Sequence, residues 1–486
     1  MRRIAAALLL LGGMLVPLPA ATLGQRIRVA IDSSPAGRSA FWGIQIVDRE
    51  SGKIVFELNA DHFFVPASNT KLFTTAMALK RLGPDYRFHT TVRMEAGGSI
   101  RLVGGGDPNL SNRAIPYQKG PATGDPLQAI EDLADKVVAN GIHHIAGDVI
   151  GDDTAYVWQP LPPGWAADDP LWDYGAPASA LTVNDNSFTL TATAGPVDGD
   201  PVLLQLSPPV EFYQIDNRLR TDSAAAPKTR VEREPGSSQL RLWGNLPPTR
   251  SETHSLGIDD PALYAAQAFY DALTRRGVVI AGRPVAHHLY PNQVQDLKSG
   301  PEPEPPGGTE LASRDSAPLL EDLRITDKVS QNLHAEMLLR AVGWARRHIG
   351  SIQAGEEEMK AFLAEAGVAE DDTRFEDGSG LSRLNLVTPR AVVQLLQYMY
   401  PTPDWISLLP VGGEDGTLSL RFGHSAAVGK IHAKTGTLSH VSALSGYAER
   451  RSGRLRTFSI LVNNYNTSGT SEIRGIVDKI CSLMVE

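Results

Sequence analysis

Apolar residues recur at helical spacing between positions 68 and 82: Leu72, Phe73, Ala76, Met77 and Leu79, with Gly83-Pro84 as the stop. Just upstream, residues 43–58 alternate as two strands joined at Glu50-Ser51-Gly52, which predicts a hairpin. From about His89 the pattern changes to short alternating runs, 90–94 and 99–103, ahead of the glycine turn 104–108. A helix is predicted over 126–140 and a strand over 145–151. A loop rich in tryptophan, proline and aspartate follows, from Trp158 to Tyr174. Further strands are predicted at 202–206, 211–221, 228–234 and 239–244, and a helix at 261–276. The proline-rich run 300–308 reads as punctuation. Beyond it, 314–347 is largely helical with a break near Ser330, and helices follow at 357–366 and 388–399. Strands are predicted at 432–437, 442–449 and 455–463, and one amphipathic helix at 473–486.

This order has an architectural consequence. The N-terminal hairpin and the three C-terminal strands complete one antiparallel sheet flanked by helices. The stretch between them leaves that domain and returns to it, as an insertion does. A length of 486 residues fits two or three domains. A net charge of −9 argues against nucleic acid as a partner. Cys481 is the sole cysteine, so there is no intrachain disulfide; scarce cysteine fits an oxidising compartment. Arg2 and Arg3 precede an apolar run, 4–16, too short to span a bilayer, and small residues stand at Ala20 and Ala21. Residues 1–21 therefore read as a cleaved secretory leader, and no later stretch is apolar enough to cross a membrane.

Candidate chemistry begins at Ser68, with Lys71 one turn later on the same helix face. A serine hydroxyl is a weak nucleophile until a base takes its proton; a lysine held neutral by burial or a nearby cation can be that base. An isolated Ser-x-x-Lys is commonly a capping serine beside a solvated lysine. Here no other serine has a lysine three residues on. Ser330-Gln331-Asn332 and Lys434-Thr435-Gly436-Thr437 also follow in order. Gly104-Gly105-Gly106 lacks the Gly-Lys-Ser/Thr of a phosphate loop. The pairs His143-His144 and His287-His288 have no carboxylate spacing to complete a metal site, so neither metal nor cofactor is expected.

Ser-x-x-Lys, Ser-x-Asn and Lys-Thr-Gly together mark penicillin-recognising serine enzymes. The chain resembles the D-Ala-D-Ala carboxypeptidase/endopeptidases of the low-molecular-mass, class C penicillin-binding protein family. Further matching stretches are 147–152, 175–186, 311–313, 332–340 and 377–383. The resemblance implies an α/β fold: a penicillin-binding, β-lactamase-like domain of helices on an antiparallel sheet, carrying two inserted, mostly β domains. The peptidase domain is expected at 22–88 and 311–486, and the inserted region at 89–310.

The roles it implies can be stated for these positions. Ser68 attacks the carbonyl between two terminal D-alanines, Lys71 takes its proton, and Ser330 with Lys434 relays a proton to the leaving amine. Asn332, Thr435, Gly436 and Thr437 bind substrate. Trp165, Asp169, Tyr174, Leu381, Arg383 and Leu438 line a pocket for the stem peptide's diamino acid. Asp169 is suited to an ammonium and Arg383 to a carboxylate; the bland alternative for both is an ordinary surface ion pair. The implied partners are peptidoglycan stem peptides, with β-lactams as covalent inhibitors, in the periplasm. Two other readings remain open from sequence: a β-lactamase or esterase using the same motifs, and a wall-binding protein without turnover.

Overall fold

The computed structural model describes residues 21–120, 123–224 and 226–486. The expected leader lies outside them except for Ala21. Helix α1 (Leu23–Asp32) opens with a capping box between Thr22 and Gln25, and α2 (Pro35–Ser39) follows at once. Strands β1 (Phe41–Asp48) and β2 (Ile54–Leu58) form the predicted hairpin. Asp48 Oδ1 ties its turn by accepting from Ser51 N (3.0 Å) and Ser51 Oγ (2.7 Å). One 3₁₀ turn, Ala67–Asn69, then runs into α3 (Thr70–Leu82). Gly83, at φ +85°, ends that helix by donating to Leu79 O.

The chain then leaves through β3 (His89–Met94), β4 (Ile100–Val103), α4 (Gln128–Ala139), β5 (His144–Ile145) and β6 (Val149–Val157). Next come β7 (Ser187–Thr193), β8 (Leu203–Ser207), β9 (Gln214–Thr221), β10 (Lys228–Glu232), β11 (Gln239–Leu246) and β12 (Ser251–Gly257). Then follow α5 (Pro261–Arg275), β13 (Val279–Ile280), β14 (Pro284–Leu289) and β15 (Thr309–Asp315). They build a five-stranded sheet, β14-β6-β4-β3-β15, two three-stranded sheets, β12-β7-β8 and β10-β11-β9, and the pair β13-β5. One apolar cluster, including Ile130, Leu190, Leu242 and Phe269, unites them.

Three expectations need correction here. The strand predicted over 145–151 is two pieces, because Gly147 turns aside to bond Gly98 O. Strands β7, β12, β14 and β15 were not foreseen; Glu252 and His254 break the alternation of β12, whereas β7 alternates polar and apolar residues cleanly. Finally, Arg314 belongs to β15, paired with Thr90 of β3, so the helix expected from 314 starts later.

That helix is α6 (Leu319–Lys328), and α7 (Asn332–Arg347) and α8 (Ile352–Glu365) follow it. The strand pair β16 (Thr373–Arg374) and β17 (Leu386–Val387) precedes α9 (Pro389–Met399) and α10 (Trp405–Leu408). The chain ends in β18 (Ile431–Leu438), β19 (Val441–Glu449), β20 (Leu455–Asn463) and α11 (Thr470–Val485). As the sequence predicts, both chain ends share one antiparallel sheet, ordered β18-β19-β20-β1-β2. Its two faces are covered by different layers. Leu72, Phe73, Met337, Leu338 and Leu396 pack in one cluster with Leu461; Ile27, Ile473, Ile480 and Met484 pack in another with Ile460. Each such side chain contributes about 1.5–3 kcal/mol on burial. The apolar face of α11 is therefore spent on the sheet. No described helix is long and apolar enough to cross a membrane.

Candidate active site

Ser68 sits in the 3₁₀ turn before α3, following Ala67 at φ +48°. Strand β18 lies directly against this turn. A Cβ on Gly436 would stand 2.7 Å from Pro66 O and 3.1 Å from Ser68 N. Glycine is thus required here by the turn that carries Ser68. Asn69 ties the same two elements, donating from Nδ2 to Lys434 O at 3.0 Å.

Lys71 is fully buried one turn on. Its Nζ lies 3.0 Å from Ser68 Oγ, 2.6 Å from Asn332 Oδ1 and 2.6 Å from Ser379 O. Burial, and then the charge of Lys434, push the Lys71 amine well below the ordinary lysine range. Lys434 Nζ donates to Ser330 Oγ at 2.7 Å and to Thr435 O at 3.0 Å, and burial lowers this amine too. Asn332 bridges the cleft, accepting from Lys71 and donating from Nδ2 to Tyr174 O at 2.8 Å. Ser68, Lys71, Ser330, Asn332 and Lys434, drawn from α3, α7, β18 and the turns beside them, therefore converge. Thr435 Oγ1 meets Thr417 Oγ1 at 2.8 Å on the outer side, and exposed Thr437 lies next along β18.

The diamino-acid residues are gathered more loosely. Trp165 Nε1 donates to Asp377 Oδ2 at 3.0 Å. Asp169 accepts from Ala166 N at 2.7 Å, and its Oδ2 stands 4.0 Å from Arg383. Burial raises the Asp169 carboxyl. Burial and the neighbouring Asp169 push the Tyr174 phenol up to about 12. Leu381 is buried, whereas Leu438 closes β18 opposite Val441. Asp169 and Arg383 thus already form a long ion pair.

Sequence reasoning missed the residues that brace this site. Glu336 Oε1 accepts from both Gly378 N and Ser379 N at 2.9 Å, fixing the turn whose Ser379 O receives Lys71. Asp377 accepts from Gly380 N (2.8 Å), Ser382 N (2.7 Å) and Asn385 Nδ2 (2.6 Å). Asp327, fully buried, accepts from Thr75 Oγ1 at 3.0 Å; burial raises its carboxyl against the pull of Lys434 and Lys71. A signal existed for Glu336: it stands four residues after Asn332 and four before Arg340, on one helical face.

Residues 23–483 match the D-Ala-D-Ala carboxypeptidase 3 (S13) family. The chain belongs to this family. Its S13 assignment is supported by a D-alanyl-D-alanine carboxypeptidase of Actinomadura sp. (strain R39), 34% identical over 459 residues, covering 90% of this chain and 80% of that one. D-alanyl-D-alanine carboxypeptidase DacB of Haemophilus influenzae is 27% identical over 428 residues, covering 85% and 84%. The crystal structure of penicillin binding protein 4 (dacB) from Haemophilus influenzae shares the S13 fold with a TM-score of 0.79 at 24% identity, covering 94% and 97%. That protein also has a structure in complex with a β-lactam. The activity of the S13 chain described here is serine-type D-alanyl-D-alanine carboxypeptidase.

Proposed function

We propose that this enzyme cleaves the D-alanyl-D-alanine bond of peptidoglycan stem peptides through an acyl-enzyme on Ser68. The observation that carries the reading is the set of partners around Lys71 Nζ. A neutral amine has two N–H donors and one lone pair. Asn332 Oδ1 and Ser379 O, each 2.6 Å away, take the two donors. The lone pair is left for the Ser68 hydroxyl at 3.0 Å. Lys71 accepts the Ser68 proton as Oγ bonds to the substrate carbonyl carbon. The N–H groups of Ser68 and Thr437 stabilise the oxyanion, a contribution whose loss typically costs ~10²–10³ in rate. The carbon–nitrogen bond then breaks. The leaving D-alanine takes a proton through Ser330 and Lys434, and water hydrolyses the ester to free Ser68.

Thr435, Thr437 and the Lys434 charge hold the terminal carboxylate, and Asn332 holds the peptide amide. Asp169 and Arg383, with Trp165, Tyr174, Leu381 and Leu438, receive the zwitterionic end of a diaminopimelate-type side chain, exchanging their own pairing for it. The same site opens crosslinks between stems. A β-lactam acylates Ser68 in place of the dipeptide, and water releases it slowly. The peptidase unit comprises residues 22–88 and the chain from about 316, not from 311 as the resemblance implies, because β15 (Thr309–Asp315) pairs with β3 in the inserted sheet; the enzyme is exported to the periplasm.

The test is intact-mass analysis after incubation with penicillin, together with D-alanine release from a pentapeptide. One adduct and D-alanine release are expected for the wild type, and neither for Ser68→Ala. An unchanged adduct in Ser68→Ala would remove the nucleophile assignment. Rapid turnover of a chromogenic β-lactam, without D-alanine release, would favour a β-lactamase instead.

A further inference from the structure

His334 stands on α7 two residues past Asn332, and its side chain is 0% exposed. Both ring nitrogens face carboxylates: Nδ1 lies 2.6 Å from Asp322 Oδ1 and Nε2 lies 3.2 Å from Asp185 Oδ1. A neutral imidazole has only one donor, so this pair of partners calls for imidazolium. Burial opposes the charge, but the two carboxylates outweigh it and push the ring up to about 9. Asp185 carries two further bonds. Arg113 grips its Oδ2 through Nε (2.8 Å) and Nη2, and Gln331 Nε2 donates to the same oxygen at 3.0 Å. Asp322 also accepts from Asn109 Nδ2 at 3.1 Å. Asp107, 3.8 Å from Arg314, is the remaining carboxylate acting on the ring. Around His334 itself, two carboxylates balance one guanidinium and one imidazolium.

Gln331 is the middle residue of the turn that carries Ser330 and Asn332. Ser330 has φ +64°, a left-handed conformation uncommon for serine. Such a conformation persists where surrounding contacts over-determine it. On the other side of the contact, Asn184, Asp185 and Asn186 have φ of +50°, +55° and +49°. Two unusual turns thus meet through one amide–carboxylate bond. On either side of Gln331, Ser330 Oγ reaches Lys434 and Asn332 Oδ1 reaches Lys71.

We propose that Asp185, charge-balanced by His334 and Arg113, is a positioning residue for the Ser330–Asn332 turn. Arg113, Asn109 and Asp185 all lie between β3 and β15 in the chain. The region that leaves the catalytic sheet and returns therefore sets the placement of two groups in the site. This inference rests on the catalytic reading of Ser330 and Asn332 given above. A displacement of about 1 Å in such groups can cost on the order of a hundredfold in rate.

The test uses the full chain with Gln331→Ser, Arg113→Met, Arg113→Lys, the Gln331→Ser/Arg113→Met double variant and Ser330→Ala. Gln331→Ser removes the tie to Asp185 and keeps a side chain able to cap α7. Arg113→Met removes the balancing charge, and Arg113→Lys restores it. Readouts are kcat and KM on a tripeptide ending in D-Ala-D-Ala, the rate of penicillin acylation, and melting temperature. Gln331→Ser and Arg113→Met should each lower kcat and acylation by about ten- to a hundredfold, with KM nearly unchanged. Arg113→Lys should recover most of the loss. The double variant should lose less than the product of the single losses, since both act through Asp185. Wild-type rates in both single variants, a loss confined to KM, or fully multiplicative losses would overturn the inference. Ser330→Ala separates the two layers. If it is slow while Gln331→Ser is normal, the positioning role alone fails. If Ser330→Ala itself acylates at the wild-type rate, the catalytic reading fails and takes this inference with it.

Discussion

Lys71 Nζ stands 3.0 Å from Ser68 Oγ, and its other near partners, Asn332 Oδ1 and Ser379 O, are both acceptors. On the mechanism proposed above, the proton transfer falls to this one amine. Lys71→Gln keeps a polar side chain of comparable reach but supplies no base. Penicillin acylation should fall by ~10²–10⁴, the usual contribution of a positioned base. Stopped-flow or quenched intact-mass kinetics measure this, with circular dichroism to establish that the variant is folded. A folded Lys71→Gln protein with the wild-type rate would exclude Lys71 as the base.

On the proposed mechanism Lys71 is active when neutral, and burial followed by the Lys434 cation lowers its pKa well below the lysine range. Acylation should therefore rise with pH through that lowered value, on the acid side of an ordinary lysine titration. In Lys434→Gln the repelling cation is gone, so the charged form of Lys71 becomes easier to keep. The acidic limb of the residual acylation rate should move to higher pH. A profile recorded from pH 5 to 10 decides this; an unmoved limb would mean that burial alone sets the Lys71 protonation.

The motif residues and the sheet were legible in sequence because their signals are local. Lys71 follows Ser68 by one helical turn, and strands β18 to β20 are short runs set apart by Ser439-His440 and Arg451-Ser452-Gly453. The bracing roles of His334 and Glu336 were not legible, since they act through partners 12 and 42 positions away, Asp322 for His334 and Gly378 for Glu336. Burial of a charge has no sequence signature of its own. Strand β12 was hidden for a related reason: its inward positions include Glu252 and His254, opposite Ala192 and Leu190, whereas β7 alternates polar and apolar residues in the sequence itself. Gly436 was picked out as part of the Lys-Thr-Gly motif, but its contact was not legible, because no local pattern tells that Pro66 O and Ser68 N lie where its side chain would be.

Gly436→Ala tests that contact. The added methyl would meet Pro66 O at 2.7 Å and Ser68 N at 3.1 Å, both backbone atoms that cannot swing away. Overpacking of this kind costs roughly 1–3 kcal/mol, a loss that a domain of this size can survive. The strain falls on the turn presenting Ser68, so acylation should drop by more than tenfold in protein that remains folded. Urea unfolding and penicillin acylation on the same preparation separate the two effects. A variant of normal rate and normal stability would show that β18 yields without moving the nucleophile.

His334 links the same region to stability at alkaline pH. Its folded-state pKa is raised to about 9 by Asp322 and Asp185 against the cost of burial, compared with about 6.5 for a free imidazole. The folded protein thus binds this proton more tightly than the unfolded chain. By linkage, the stabilisation is fully present below pH ~6.5 and is lost as pH rises through about 9. The shift corresponds to something on the order of 3 kcal/mol. His288, buried between Asp153 and Asp260 and raised to about 10, acts in the same direction, so the wild-type curve alone does not isolate His334. The informative quantity is the stability difference between wild type and His334→Gln, from urea unfolding at pH 6.5, 8 and 9.5. Glutamine keeps an amide able to hydrogen-bond but carries no charge, so it cannot supply the imidazolium's pairing with the two carboxylates. The gap should be widest at pH 6.5 and narrow steadily toward pH 9.5. A gap independent of pH would mean that the ring is neutral in the folded protein and that the carboxylates around it share their protons differently.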